Sequence, residues 1–118
     1  MNRNKNRGTA FETLITRALQ DAFPEDDRID RAPLRGAKDE GDIRGVRSPF
    51  GRVVIECKQY GGRYDIGTWL NEAEIEKGNA DAIAGVVVAK RARKGDALDQ
   101  TVIMTVRDLI ALLGGDVA

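Results

Sequence analysis

The chain has 118 residues, with 19 Lys and Arg against 19 Asp and Glu, no His and one Cys, so its formal net charge at pH 7 is zero. Without His there is no Ser-His-Asp or Cys-His catalysis, no imidazole base and no His-ligated zinc, and Cys57 alone cannot form a CxxC pair. Any catalysis has to run on carboxylates, amines and an oxygen-ligated metal.

The length suits one domain, residues 1–118, able to bury about two-thirds of the surface it would expose unfolded. No apolar run approaches the roughly 20 residues needed to span a bilayer, and the lone Cys suits a reducing compartment. Residues 1–7 are basic but lack the apolar stretch of a secretory signal and read as a flexible basic arm. A cytoplasmic protein is expected, in the host cytoplasm if the chain is phage-encoded. The zero net charge hides segregation. Arg3, Lys5 and Arg7 form one basic cluster, Lys90, Arg91, Arg93 and Lys94 a second, and Glu72, Glu74 and Glu76 crowd one segment. A phosphate backbone responds to local potential, so both clusters are DNA-binding candidates; the plainer alternative is solvated basic loops.

In chain order, residues 9–23 carry Phe11, Leu14, Ile15, Ala18, Leu19 and Ala22 at helical spacing, with Thr9 as cap and Pro24 after the end. Residues 28–35 form an ambiguous strand and residues 42–46 a second. Ser48-Pro49-Phe50-Gly51 is turn chemistry, and the β-branched residues 52–58 after it complete an antiparallel hairpin. Gly61-Gly62 ends that strand. Ile66, Trp69, Leu70 and Ala73 then give a second helix an apolar face, with its stop near Gly78-Asn79. Residues 84–89 are apolar at nearly every position, as in a strand covered on both faces. Residues 101–105 read as a short strand before a closing helix with Leu109, Ile110, Leu112 and Leu113. The expectation is an α/β domain, a mixed central sheet flanked by helices.

Strand alternation puts Val53, Ile55 and Cys57 on one face and Val54, Glu56 and Lys58 on the other. A Glu-x-Lys pair in a strand is usually an exposed ion pair, but Asp42 lies 14 positions upstream on the other arm of the hairpin. If residues 47–51 form an odd, five-residue loop, Val46 pairs with Arg52 and Asp42 falls opposite Glu56, with Cβ atoms roughly 4.5–5.5 Å apart. An even loop would send Asp42 to the opposite face, so the odd loop or an equivalent bulge is expected. Two carboxylates at that separation repel, and a divalent cation relieves the repulsion. Magnesium suits the site because it prefers oxygen ligands and needs only one or two protein carboxylates; manganese is a substitute. The backbone carbonyl of Cys57 offers another oxygen. Lys58 beside the metal would stabilise a phosphorane-like transition state or orient the attacking water. Glu12 has two readings: in Thr9-x-x-Glu12 it closes a capping box on the Thr9 N–H, or it points along the sheet toward the carboxylate pair.

Gly41-Asp42 followed by Val54-Ile55-Glu56-Cys57-Lys58 resembles the signature of the PD-(D/E)XK nuclease superfamily, with Gly41 where the name has Pro. The short chain, Glu12 after Arg7-Gly8-Thr9-Ala10-Phe11, and the gap between Asp42 and Glu56 are similar to the small Holliday-junction resolvases of archaea and bacteriophages, over residues 7–90. The resemblance implies a restriction-endonuclease-like αβββαβ core, with Glu12, Asp42 and Glu56 around one or two magnesium ions and Lys58 as the catalytic lysine. It also implies a homodimer that makes paired cuts in four-way or otherwise branched DNA. Gln59 is a further DNA contact candidate. Trp69 and the C-terminal leucines either line the dimer interface or lie in the core. The alternatives are a nicking or repair nuclease of the same fold without junction preference, and an inert DNA-binding module; intact Asp42, Glu56 and Lys58 argue against the last.

Overall fold

A computed structural model describes residues 3–33 and 36–117, with residues 3–5 and 37 described by backbone alone. Three α-helices, α1 (Arg3–Ala22), α2 (Ile66–Ala80) and α3 (Val106–Leu112), flank a mixed sheet. The strands are β1 (Asp30–Arg31), β2 (Ile43–Arg44), β3 (Arg47–Ser48), β4 (Gly51–Lys58), β5 (Ala84–Ala89) and β6 (Thr101–Ile103). Across the sheet the order is β1-β2-β4-β5-β6, with β3 paired to β4 near the hairpin turn. β4 and β5 run parallel over six residue pairs from Val53↔Ala84 to Lys58↔Ala89, and the other pairings are antiparallel.

The two faces of β4 are used differently. Val53 and Ile55 join Phe11 and Ile15 of α1, Ile29, Ile43, Val86 and Val88 in one buried cluster, with Cys57 at its margin. On the other face Val87 and Ala89 meet Trp69 and Ala73 of α2. Trp69 is therefore a core residue. Of the C-terminal leucines, Leu112 packs against the first cluster, whereas Leu109 and Leu113 are exposed. Gly85 permits the close approach of α2: a Cβ there would stand 2.6 Å from the Ala73 carbonyl oxygen. α3 is tied to the sheet by Asp108, whose side chain is 2% exposed. Its carboxylate accepts from the Gly85 N–H at 2.8 Å and pairs with the Lys77 ammonium at 2.9 Å.

Two expectations need correction. The first helix begins at Arg3 rather than at a Thr9 cap, because nothing in residues 3–8 breaks the turn: Gly8 costs about 1 kcal/mol there but blocks no hydrogen bond. Arg3, Lys5 and Arg7 therefore stand on a helix, not on a flexible arm, and Thr9 lies inside it. The hairpin turn is also tighter than five residues. Ser48 faces Gly51 and Arg47 faces Arg52, so Pro49 and Phe50 alone make the turn, secured by the Phe50 N–H donating to Ser48 Oγ at 3.1 Å. Farther along, Ile43 faces Ile55, a ladder offset by one residue from that at the turn. The bulge alternative is the one adopted. Gly45 (φ +81) and Val46 take up the extra residue, and a Cβ at Gly45 would collide with the Arg28 carbonyl, so a side chain is excluded there. The ambiguous strand shrinks to Asp30–Arg31; the end of its expected span, residues 34 and 35, lies outside the described residues.

Candidate metal centre

The bulge sets the register that brings Asp42 to Glu56. The Asp42 N–H donates to the Ile55 carbonyl at 2.8 Å, and its Oδ2 accepts from the Cys57 N–H at 2.7 Å. That bond fixes the carboxylate beside β4, while the Asp42 carbonyl accepts from the Ala32 N–H at 2.8 Å on the other side. Gly41 (φ +99) makes this possible, since a Cβ there would stand 2.9 Å from the Ile55 carbonyl oxygen.

Glu56 lies under α2, on the face its alternation predicts, and meets Glu76, one of the three Glu residues that crowd one segment of the sequence. Glu76 of α2 and Asp39 of the loop before β2 each bring a carboxylate oxygen within 4.8 Å of one from Glu56 and of each other. Glu56 and Glu76 are each only 8% exposed. Their Oε2 atoms are buried and receive no hydrogen bond among the described residues. Burial, then the Glu76 and Asp42 carboxyls, pushes the Glu56 pKa far above the usual carboxylate range. Burial likewise raises Asp42, against the pull of the Cys57 N–H, and raises Glu76. In each case burial among like groups favours the neutral carboxyl over the ionised one.

Lys58 supplies the positive charge at the rim. Its Nζ is 2.6 Å from Glu72 Oε2 and 4.0 Å from Glu56 Oε1. Burial works to lower the amine's pKa, but the Glu72 hydrogen bond and the Glu56 and Glu72 charges outweigh it and raise it, so the ammonium is retained. Cys57 contributes backbone: its thiol is pushed up by burial and by Asp42, Glu12 and Glu56, and remains a neutral neighbour.

Glu12 is not a cap, because Thr9 is interior to α1. The Glu12 carboxyl is half-buried; burial and the Asp42 charge raise its pKa, which puts it on the Asp42 side of the centre. Neither Glu12 nor Asp42 is in the close cluster of Asp39, Glu56 and Glu76, so of the expected carboxylate ligands only Glu56 belongs to it. The core-face spacing of α2 was the signal that finds Glu76: Trp69, Ala73, Glu76 and Ala80 are its buried residues, and a Glu in that row is not a surface charge.

The DNA-contact candidates divide. Arg7 and Gln59 line a cleft at the end of β4 with Cys57 and Lys58. The side chains of Arg3 and Lys5 lie outside the described residues. Lys90 is folded inward, its ammonium donating to the Arg91 and Lys94 carbonyls of its own loop. Arg91 reaches the Asp99 carbonyl at 3.2 Å. Arg93 and Lys94 are exposed. Because β4 and β5 are parallel, this loop and the β4 exit share one end of the sheet, where Ala92 abuts Gly62.

Comparison with known protein families, with curated proteins and with solved structures finds no match. The site therefore stands on its own chemistry.

Proposed function

We propose that the chain is a metal-dependent endodeoxyribonuclease acting on branched DNA, resembling the Holliday-junction resolvases of the PD-(D/E)XK superfamily. The observation that carries this reading is the pair of buried, unsatisfied carboxylate oxygens on Glu56 and Glu76, beside Asp42 and within reach of Lys58. Buried anions without donors are costly, and an oxygen-preferring divalent cation relieves that cost. The order α1, β1, β2, β3, β4, α2 and β5, with the two-residue β3 lying within the hairpin before β4, supports the αβββαβ reading.

Asp42 and Glu56 are the ligands of choice for magnesium, with the Cys57 carbonyl adjacent and Glu12 behind Asp42. When bound, the metal would polarise a phosphodiester and lower the pKa of a coordinated water. The protein's own part is to fix the carboxylates through the Cys57 N–H and to hold the Lys58 ammonium where charge develops on the phosphate. Exposed Val102 on β6, with Val106 and Leu109 on α3 and Leu113 just after its end, offers an apolar face for the homodimer that paired cuts require.

A synthetic four-way junction and its matching linear duplex, incubated with magnesium or with EDTA, test the assignment. Symmetric junction nicks that vanish in EDTA and with Lys58→Ala are expected. Asp42→Asn abolishes cleavage but spares junction binding. Equal cutting of the duplex removes the junction preference, and tight binding without cutting removes the nuclease.

A further inference from the structure

The β4 exit carries a second feature that cleavage chemistry does not use. Tyr60 sits between two adjoining clefts of about 440 and 380 Å³, both of which it lines with Lys58 and Arg63. Its ring stacks on Trp69 at 5.6 Å between centroids and 25° between planes. Tyr64 closes against Trp69 at 5.7 Å and is anchored by its hydroxyl donating to Thr101 Oγ1 at 2.8 Å. Trp69 is buried, so the platform is rigid, yet Tyr60 is 52% exposed. One side of Tyr60 rests on Trp69, so its exposed surface is the opposite face and edge.

An aromatic face of this kind, left open to water, has an unused stacking energy. Arg7 lines the first cleft, with Nη2 against the Gly61 turn, and Arg63 lines both. Neither guanidinium has a carboxylate in ion-pair range among the described residues. A flat apolar face flanked by free cations matches a nucleobase with its adjoining phosphates. In a paired duplex the base faces are stacked and inaccessible, so the matching ligand is an unpaired nucleotide.

We propose that Tyr60, backed by Trp69, stacks an unpaired DNA base beside the metal centre, with Arg7 and Arg63 holding the phosphates on either side of it. The proposal rests on the nuclease reading for the identity of the nucleic acid and sharpens it. The preferred substrate is DNA with a strand opened near the cut, and Lys58, shared by both clefts and the carboxylate cluster, joins recognition to chemistry.

Fluorescence anisotropy in EDTA separates this from turnover, with labelled oligo-dT, an abasic strand of equal length and a duplex as probes. Tyr60→Ala is expected to weaken oligo-dT binding about tenfold, the scale of one lost base stack, with duplex binding unchanged. Tyr60→Phe keeps the ring and stays within about twofold of the parent. The abasic strand binds the unaltered protein as weakly as oligo-dT binds Tyr60→Ala. Equal affinity of the unaltered protein for oligo-dT and the abasic strand overturns the stacking site, as does an unchanged oligo-dT affinity in Tyr60→Ala. If the nuclease assignment fails instead, these affinities stand and magnesium produces no cleavage.

Discussion

Two acids are buried against α2, and the protein treats them in opposite ways. Asp108 has a cation and a backbone donor on its two oxygens, at 2.9 and 2.8 Å. Glu56 meets the carboxyls of Asp39, Asp42 and Glu76, and its Oε2 has no donor among the described residues. The first arrangement is complete and ties α3 to β5. The second has a cation, the Lys58 ammonium, only at 4.0 Å from Oε1 and no donor on Oε2 among the described residues. The fold satisfies both oxygens of the first acid and leaves one oxygen of the second without a donor.

Removing each acid should break this contrast in opposite directions. Asp108→Ala strands the Gly85 N–H and the Lys77 ammonium and is expected to cost about 3 kcal/mol, measured by urea denaturation. A loss under about 1 kcal/mol would deny Asp108 its tie. The next effect is pH dependence. Glu56, raised to about 11, holds a proton in the folded state that the unfolded chain releases near the ordinary value of 4.5, and Glu76 is raised in the same direction. Their folded pKa values are raised, so the stability they contribute is present below that value and lost as pH rises toward the folded values. Metal-free protein should lose on the order of 2 kcal/mol between about pH 5 and pH 6.5, and magnesium should restore part of it. Asp26, held at about 2 by its hydrogen bonds with Arg28, has the opposite sign and titrates below this window. Thermal denaturation across pH, with magnesium or EDTA, reads the difference.

Smaller effects sharpen the same contrast. Glu76→Gln replaces one repelling carboxylate with an amide and should raise stability in EDTA at about pH 8 by about 1 kcal/mol, while flattening the pH slope. Glu72→Gln removes the 2.6 Å partner of Lys58. Because Glu72 is partly exposed, single-turnover cleavage should fall only about threefold, in line with a surface pair.

Much of the site could be read from residue order because strand periodicity is strict. Once residues 52–58 form a strand, Glu56 and Lys58 share a face, and only a one-residue offset brings Asp42 to them. The place of that offset could not be read. It depends on Gly45 fitting under the Arg28 carbonyl, a contact between segments far apart in the chain. Glu76 was legible in principle, three residues after Ala73 and seven after Trp69 on the buried row of α2, but a run of three alternating Glu residues looks like a solvated face. The start of α1 is hidden in the sequence because Thr9 and Glu12 have capping chemistry that an uninterrupted helix from Arg3 does not need. Lys90 shows the limit of charge counting: its ammonium serves its own loop.

Manganese binding, followed by electron paramagnetic resonance of the free ion, tests the cation site itself. The unaltered protein should deplete the free signal at about pH 8, and Glu74→Gln, which removes an exposed carboxylate from the same helix, should deplete it equally. Glu56→Gln and Asp42→Asn should leave the signal near that of manganese alone. Full depletion by Glu56→Gln, or none by the unaltered protein, would contradict the assignment of these buried oxygens to a metal.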